Sequence, residues 1–289
     1  MKTVITTMLS ASMAFMLSAC TTVGVGVANF PTKFSSNKIV TDVTFGSKSW
    51  QKLDVYIPAN VKPSMPVIVF TYGGRWQSGF KEMYAFIGDR FADQGFVTVI
   101  ADYRKFPEVK FPTFVTDAAK ALAWVDDHIG EYGGDSNKIF VSGHSSGAHT
   151  AALITADERY LAAEGKSTKL IKAFAGISGP YDFVPEAADI KEIFAPPENY
   201  FQMQVPNFIR GSEPPMLLLW GSDDKDVVRT NLDKLLQKCQ QQGVEVETKI
   251  YPGVGHIDIV ANQTWFYPGS ATIVKDITDF FNKQSSNQK

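Results

Sequence analysis

The chain has 289 residues, 44% of them hydrophobic and 20% charged, the balance of an ordinary globular protein rather than a disordered or fibrous one. Its 28 basic and 30 acidic residues give a net charge of −2 with no basic block, so the clustered positive footprint of a nucleic-acid binder is missing. With only two cysteines, Cys20 and Cys239, there is neither a disulfide framework nor a multi-thiolate metal site.

Met1-Lys2 supplies one positive charge, and Thr3 to Ala19 contains none. The apolar part is short and broken by Thr and Ser, too short for a bilayer core of ~30 Å. Residues 1–19 therefore read as a secretory signal peptide. The stretch ends Leu17-Ser18-Ala19-Cys20, which resembles the bacterial lipobox and implies that Cys20 is lipidated and becomes the new N-terminus. Thr21, where an Asp would suggest inner-membrane retention, points to a lipid anchor on the periplasmic face of the outer membrane. Residues 20–38 have no periodicity and read as the lipidated cysteine followed by a flexible tether.

Residues 39–289 then alternate strand-like with helix-like runs. The strand candidates are Ile39–Phe45, Lys52–Ile57, Val67–Tyr72, Val97–Asp102, Ile139–Ser142, Ala173–Ser178, Met216–Trp220 and Val246–Tyr251. Runs such as Val67-Ile68-Val69-Phe70 and Leu217-Leu218-Leu219-Trp220 do not alternate with polar residues, as expected of strands covered on both faces. Val115, Ala118, Ala119, Leu122, Val125 and Ile129 share one helical face, as do Ile273, Ile277, Phe280 and Phe281. Leu232, Leu235, Leu236 and Cys239 follow the same spacing, which makes Cys239 a buried core thiol. This pattern predicts one α/β domain: eight strands, mostly parallel, with helices on both faces. The Pro- and aromatic-rich residues 185–215 are too long for a simple crossover and are expected to form a short cap insertion.

Ile139-Phe140-Val141-Ser142 runs into Gly143-His144-Ser145-Ser146-Gly147 and then an apolar helix, a Gly-x-Ser-x-Gly elbow in its required context. The turn is so tight that only glycine fits on either side of the serine. It raises Ser145 to a helix N-terminus, where the Ser146 N–H meets a developing oxyanion. Among four histidines, His128 lies on an amphipathic helix, while His144 and His149 belong to the elbow and its helix. His256 stands in the glycine-flanked loop Gly253-Val254-Gly255-His256 after the last strand, where active sites of open α/β sheets form, and is the expected base. The acid is expected between serine and base in the chain. Gly221-Ser222-Asp223-Asp224-Lys225-Asp226 offers three carboxylates, of which Asp224 is the first choice and Asp226 the second. Gly73 and Gly74, after the third strand candidate, are expected to add oxyanion donors. Tyr72, Arg75, Trp76 and aromatic residues of Tyr200–Phe208 are expected to line the substrate pocket.

Together, Tyr72-Gly73-Gly74-Arg75-Trp76, Asp102-Tyr103-Arg104, Phe111-Pro112, Trp124, Gly133-Gly134-Asp135, Gly143–His149, Gly179-Pro180-Tyr181-Asp182, Gly221–Val228 and Gly253–His256 carry a family resemblance. The chain resembles α/β-hydrolases of the carboxylesterase type, near the kynurenine formamidase-like and feruloyl-esterase-like esterases. The resemblance implies a central mostly parallel sheet, a Ser145–Asp224–His256 triad and cofactor-free hydrolysis of carboxylic esters or related acyl bonds. In the family's Gly-x-x-Asp-x-x-Val pattern the acid is the fourth residue, which falls on Asp224. Two departures stand out: Tyr72 occupies a position usually held by His, and Arg75 places a cation near the acyl site. Arg75 either selects anionic substrates or, the favoured reading, points outward to a local acid.

The resulting expectation is a serine hydrolase for small to medium esters, needing no cofactor or metal, and touching membrane only through Cys20. An amidase, formamidase or peptidase would use the same residues. A catalytically silent envelope ligand-binding lipoprotein is the alternative from a different class.

Overall fold

The computed structural model describes residues 24–286. All eight strand candidates form strands of one sheet: β1 (Lys38–Thr44), β2 (Lys52–Ile57), β3 (Met65–Thr71), β4 (Val97–Ala101), β5 (Gly134–His144), β6 (Ile171–Ile177), β7 (Met216–Gly221) and β8 (Val246–Tyr251). Their spatial order is β1-β2-β4-β3-β5-β6-β7-β8. The pairs β1–β2 and β2–β4 are antiparallel, and every other pair is parallel. Because β3 lies between β4 and β5, the winding direction reverses there, and the carboxyl ends of β3 and β5 are where such sheets bind ligands.

Five helices of nine residues or more cover the sheet: α1 (Ala85–Asp93), α2 (Thr113–His128), α3 (Ser146–Ala156), α4 (Thr230–Gln242) and α5 (Ile273–Ser286). Helices α1 and α5 touch across one face, while α2 and α3 pack together on the other. With both faces covered, Val67, Ile68, Ile139, Phe140 and Leu218 are fully buried, which is why their strands carry unbroken apolar runs. Phe140 stacks on Phe281 of α5 at 4.6 Å between ring centroids, with Phe96 closing the cluster. Truncating such a ring to alanine costs about 3–5 kcal/mol. Cys239 is buried in α4, and burial pushes its thiol up to about 12, which leaves it unreactive at neutral pH.

Two boundaries differ from expectation. Strand β5 starts five residues before Ile139, because Gly134 pairs with Met65 and a bulge follows. The polar Asp135–Lys138 between them gave no apolar signal. The second difference concerns the tether. Residues 1–23, with Cys20, lie outside the described residues, but residues 24–37 are docked rather than free. Asn29 accepts the Phe86 N–H at 3.0 Å and Trp265 Nε1 donates to the Val27 carbonyl at 2.9 Å. Asn37 donates to Asp89 at 2.9 Å and Asp93 at 2.8 Å, and Ser35 donates to Asp89 at 2.6 Å. Polar side chains hold this segment against α1, so no hydrophobic period announces it. Residues 185–215 contain helical turns at Ala188–Ile193, Pro197–Asn199, Tyr200–Met203 and Val205–Phe208.

Candidate active site

Ser145 sits between β5 and α3 with φ 56° and ψ −129°, a strained conformation for a residue with a side chain. The flanking glycines explain how the turn closes. A Cβ at Gly143 would lie 2.7 Å from the Gly147 carbonyl, and one at Gly147 would lie 2.1 Å from the Thr71 carbonyl oxygen. Backbone occupies both spaces, so any larger residue forces the elbow apart. Ser145 N–H donates to the Ile177 carbonyl at 2.9 Å, which fixes the turn to β6.

His256 comes from the loop after β8. Its Nδ1 lies 2.8 Å from Asp224 Oδ2, and its Nε2 lies 2.8 Å from Ser145 Oγ. The carboxylate can only accept, so Nδ1 carries the hydrogen and Nε2 is left to take the serine proton. Asp224 is held by the Val227 N–H at 2.8 Å and the Asp226 N–H at 3.0 Å, both to Oδ1. Burial opposes its charge, yet the His256 and Val227 bonds more than offset that and keep the carboxyl below its ordinary value. Asp226, the second candidate, contributes its backbone and leaves its carboxylate exposed. The acid and base loops are tied together: Asp223 N–H donates to the Val254 carbonyl at 3.0 Å and Gly253 N–H to Ser222 Oγ at 2.8 Å.

The Gly73-Gly74 loop lies directly against the serine. A Cβ at Gly73 would stand 3.0 Å from Ser145 Cβ and 2.9 Å from the His144 carbonyl oxygen. Gly74 stands at the bend of the loop with a positive φ, and Ser146 is the first residue of α3.

Three expected pocket residues are placed otherwise. Tyr72 is fully buried; its hydroxyl donates to Asp102 at 2.9 Å and accepts from Lys105 Nζ at 2.9 Å. Its backbone carbonyl accepts from Tyr103 Oη at 2.7 Å. Trp76 is 4% exposed, packed among Phe114, His149, Phe183 and Phe194. It therefore joins the loop to the cap rather than facing solvent. Arg75 points outward and grips Asp189 of the cap, with Nε 3.1 Å from Oδ2 and Nη2 3.2 Å from Oδ1. Gln77 bonds the same carboxylate at 2.8 Å. The outward reading of Arg75 is the one this geometry matches. Of the Tyr200–Phe208 aromatics, Phe201 and Phe208 pack edge-on at 6.3 Å, and Arg159 covers Phe208. The phenyl rings on Trp76 come instead from Phe114, Phe183 and Phe194.

His149 is fully buried with Nε2 bonded to the Met203 carbonyl at 2.7 Å, and His128 bonds the exposed Glu131 at 3.0 Å. Neither reaches the triad. Sequence reasoning did not find Tyr84, whose hydroxyl lies 2.8 Å from His144 Nδ1, or the Asp189 latch. The one available signal for the former was a histidine inside the elbow itself.

This fold and elbow define the class: an α/β-hydrolase. The BD-FAE family matches residues 53–239, more than half of the chain, and the chain belongs to that family. It is 30% identical over 248 residues to the probable isoprenylcysteine alpha-carbonyl methylesterase ICME of Oryza sativa subsp. japonica, covering 78% of this chain and 60% of that protein. It is also 31% identical over 240 residues to esterase LipC of Mycobacterium tuberculosis, covering 74% and 58%. The chain thus spans about three fifths of the length of these relatives. Among solved structures, esterase B of Lactobacillus rhamnosis superposes with a TM-score of 0.78 at 19% identity, covering 96% of this chain and 98% of that one. A truncated carbohydrate esterase from gut microbiota gives 0.75 at 23%, covering 86% and 96%. Both share the fold.

Proposed function

We propose that the protein is a carboxylesterase-type serine hydrolase acting on esters of small to medium size. The observation that carries this reading is the unbroken chain from Ser145 Oγ through His256 to Asp224, two contacts of 2.8 Å each. Ser145 attacks the ester carbonyl while His256 Nε2 takes its proton, and Asp224 stabilises the imidazolium that forms. The tetrahedral oxygen is received by the N–H groups of Gly73, Gly74 and Ser146, the last at the positive end of α3. His256 then returns the proton to the departing alkoxide, leaving an acyl group on Ser145. Water, activated in turn by His256, releases the acid. The names of the relatives, methylesterase and esterase, support ester over amide substrates.

The same reading sets the domain at the bacterial cell envelope, anchored through a lipid on Cys20. Mass analysis of the mature N-terminus, with Cys20→Ser as control, tests that placement; an unlipidated mature chain overturns it. Activity is tested with p-nitrophenyl acetate, butyrate and octanoate beside Ser145→Ala. Turnover that disappears in the variant is expected. Wild-type protein that neither hydrolyses an ester nor is labelled at Ser145 by a fluorophosphonate would overturn the hydrolase reading.

A further inference from the structure

One buried group next to the nucleophile has no task in this cycle. The His144 ring is 1% exposed and stands inside the elbow, with its centroid 4.9 Å from that of His256. Its Nε2 lies 3.0 Å from the backbone carbonyl oxygen of His256, and its Nδ1 lies 2.8 Å from Tyr84 Oη. A carbonyl oxygen only accepts, so Nε2 carries the hydrogen. A neutral imidazole has a single N–H, so Nδ1 is bare and the Tyr84 hydroxyl donates to it. Burial, reinforced by the neighbouring His256, pushes His144 down to about 3, in keeping with the neutral ring. Tyr84 in turn abuts the oxyanion loop: a Cβ at Gly73 would lie 3.2 Å from its hydroxyl oxygen. A single run of hydrogen bonds thus touches the glycine loop, the elbow and the base loop.

The base loop needs such an anchor. Its ties to the acid loop fall on Gly253 and Val254, short of the base itself, and Ile257 on the other side is 62% exposed. The His144 bond is made to the peptide of His256 itself. We propose that His144 and Tyr84 are positioning residues that hold the His256 backbone and the Gly73-Gly74 loop in register with Ser145. This rests on the hydrolase reading above. A misplacement of 1 Å in such a site costs on the order of 10²-fold in rate.

The test compares kcat and KM for p-nitrophenyl acetate, and the low-field proton resonance of the His256–Asp224 bond, in wild type, Ser145→Ala, His144→Gln, His144→Asn and Tyr84→Phe. A glutamine amide reaches the place of Nε2 and still donates to the His256 carbonyl. Asparagine is too short to do so, while keeping an acceptor for Tyr84. His144→Asn is expected to lose on the order of 10²-fold in kcat with KM little changed and to shift or broaden the resonance. His144→Gln should stay within about fivefold of wild type, and Tyr84→Phe should lose about tenfold. Folded His144→Asn with wild-type kcat and resonance overturns the proposal, as does an equal loss in the Asn and Gln variants. Should His144→Asn not fold, wild-type kcat in Tyr84→Phe overturns it. Wild-type protein inactive on esters and unlabelled at Ser145 removes the hydrolase reading and this inference with it, whereas an active wild type silenced by Ser145→Ala isolates the question to His144.

Discussion

Two polar clusters invite comparison, one around the buried Lys81 at the β1–β2 edge of the sheet and one at Ser145, and on the proposed reading only the second does chemistry. In the first, Lys81 Nζ meets Asp42 and Asp54 at 2.9 Å each and also bonds Glu82, with 2% of its side chain exposed. Burial works against its charge, but the three carboxylates more than offset that and raise its pKa. Its backbone N–H meets Asp102, which also binds Tyr72, which in turn accepts from Lys105. Every strong donor there has an acceptor of its own. The triad differs at its end: the chain from Asp224 through His256 finishes on a hydroxyl whose oxygen keeps nucleophilic lone pairs. What separates a structural cluster from a reactive one is therefore where its hydrogen bonding stops, not how many charges it buries.

That contrast breaks most sharply at the nucleophile. Ser145→Ala is expected to lower ester turnover by at least ~10⁴-fold while leaving the melting temperature close to wild type. Asp224→Asn should lose about 10⁴-fold in kcat, because the amide favours the wrong imidazole tautomer, and Asp226→Asn only a few-fold. A large loss in Asp226→Asn would move the acid to the second carboxylate.

In the other cluster the balance should invert. Lys81→Met strands buried Asp54 without its partner and should destabilise the fold by about 3–5 kcal/mol, measured by denaturant unfolding. Activity per folded molecule should persist, and its loss would mean that the two clusters are not separate.

Acid should reveal the neutral histidines. Burial lowers His149 to about 4 and His144 to about 3, below the unfolded value of about 6.5. The unfolded chain therefore binds protons first as pH falls, and stability declines from about pH 6.5 down toward pH 4. The loss is of the order of 3 kcal/mol per histidine. Melting temperatures across that window should fall steeply in wild type and less in His149→Gln; a flat wild-type profile would contradict neutral burial. Asp224, held below its ordinary value, keeps its charge through this window and should not add to the decline.

The smallest effect belongs to the exposed latch. Arg75→Ala should leave the ratio of activity on neutral and carboxylated esters within about threefold, since Asp189 already occupies the guanidinium. Asp189→Ala frees that cation and should tilt the ratio toward carboxylated esters.

These regions were unequally legible in the sequence. The strands showed because burial on both faces demands unbroken apolar runs, and the elbow showed because two glycines must flank a serine that backbone surrounds. Asp224 emerged from its place after β7 and the base from its glycine-flanked loop. The Lys81 cluster did not, since Asp42, Asp54 and Lys81 are ordinary charged residues until the sheet brings them together. Tyr72 and Trp76 misled for a related reason: lying beside the glycines in sequence says nothing of which way a ring turns. Asn29, Ser35 and Asn37 dock the N-terminal segment through polar bonds that leave no period to read.

That docking has a mechanical consequence. The chain is already fixed to the body of the domain at Val27 and Asn29, and Val27 is seven residues from Cys20. Seven residues reach at most ~25 Å. A lipid on Cys20 would therefore act as a much shorter leash than a tether free to residue 38, restricting how far the catalytic domain can stand off or tilt from the bilayer. Orientation at the surface, and with it the direction from which substrate arrives, would be set by Trp265 on Val27 and by the backbone of Glu82 and Phe86 on Asn29.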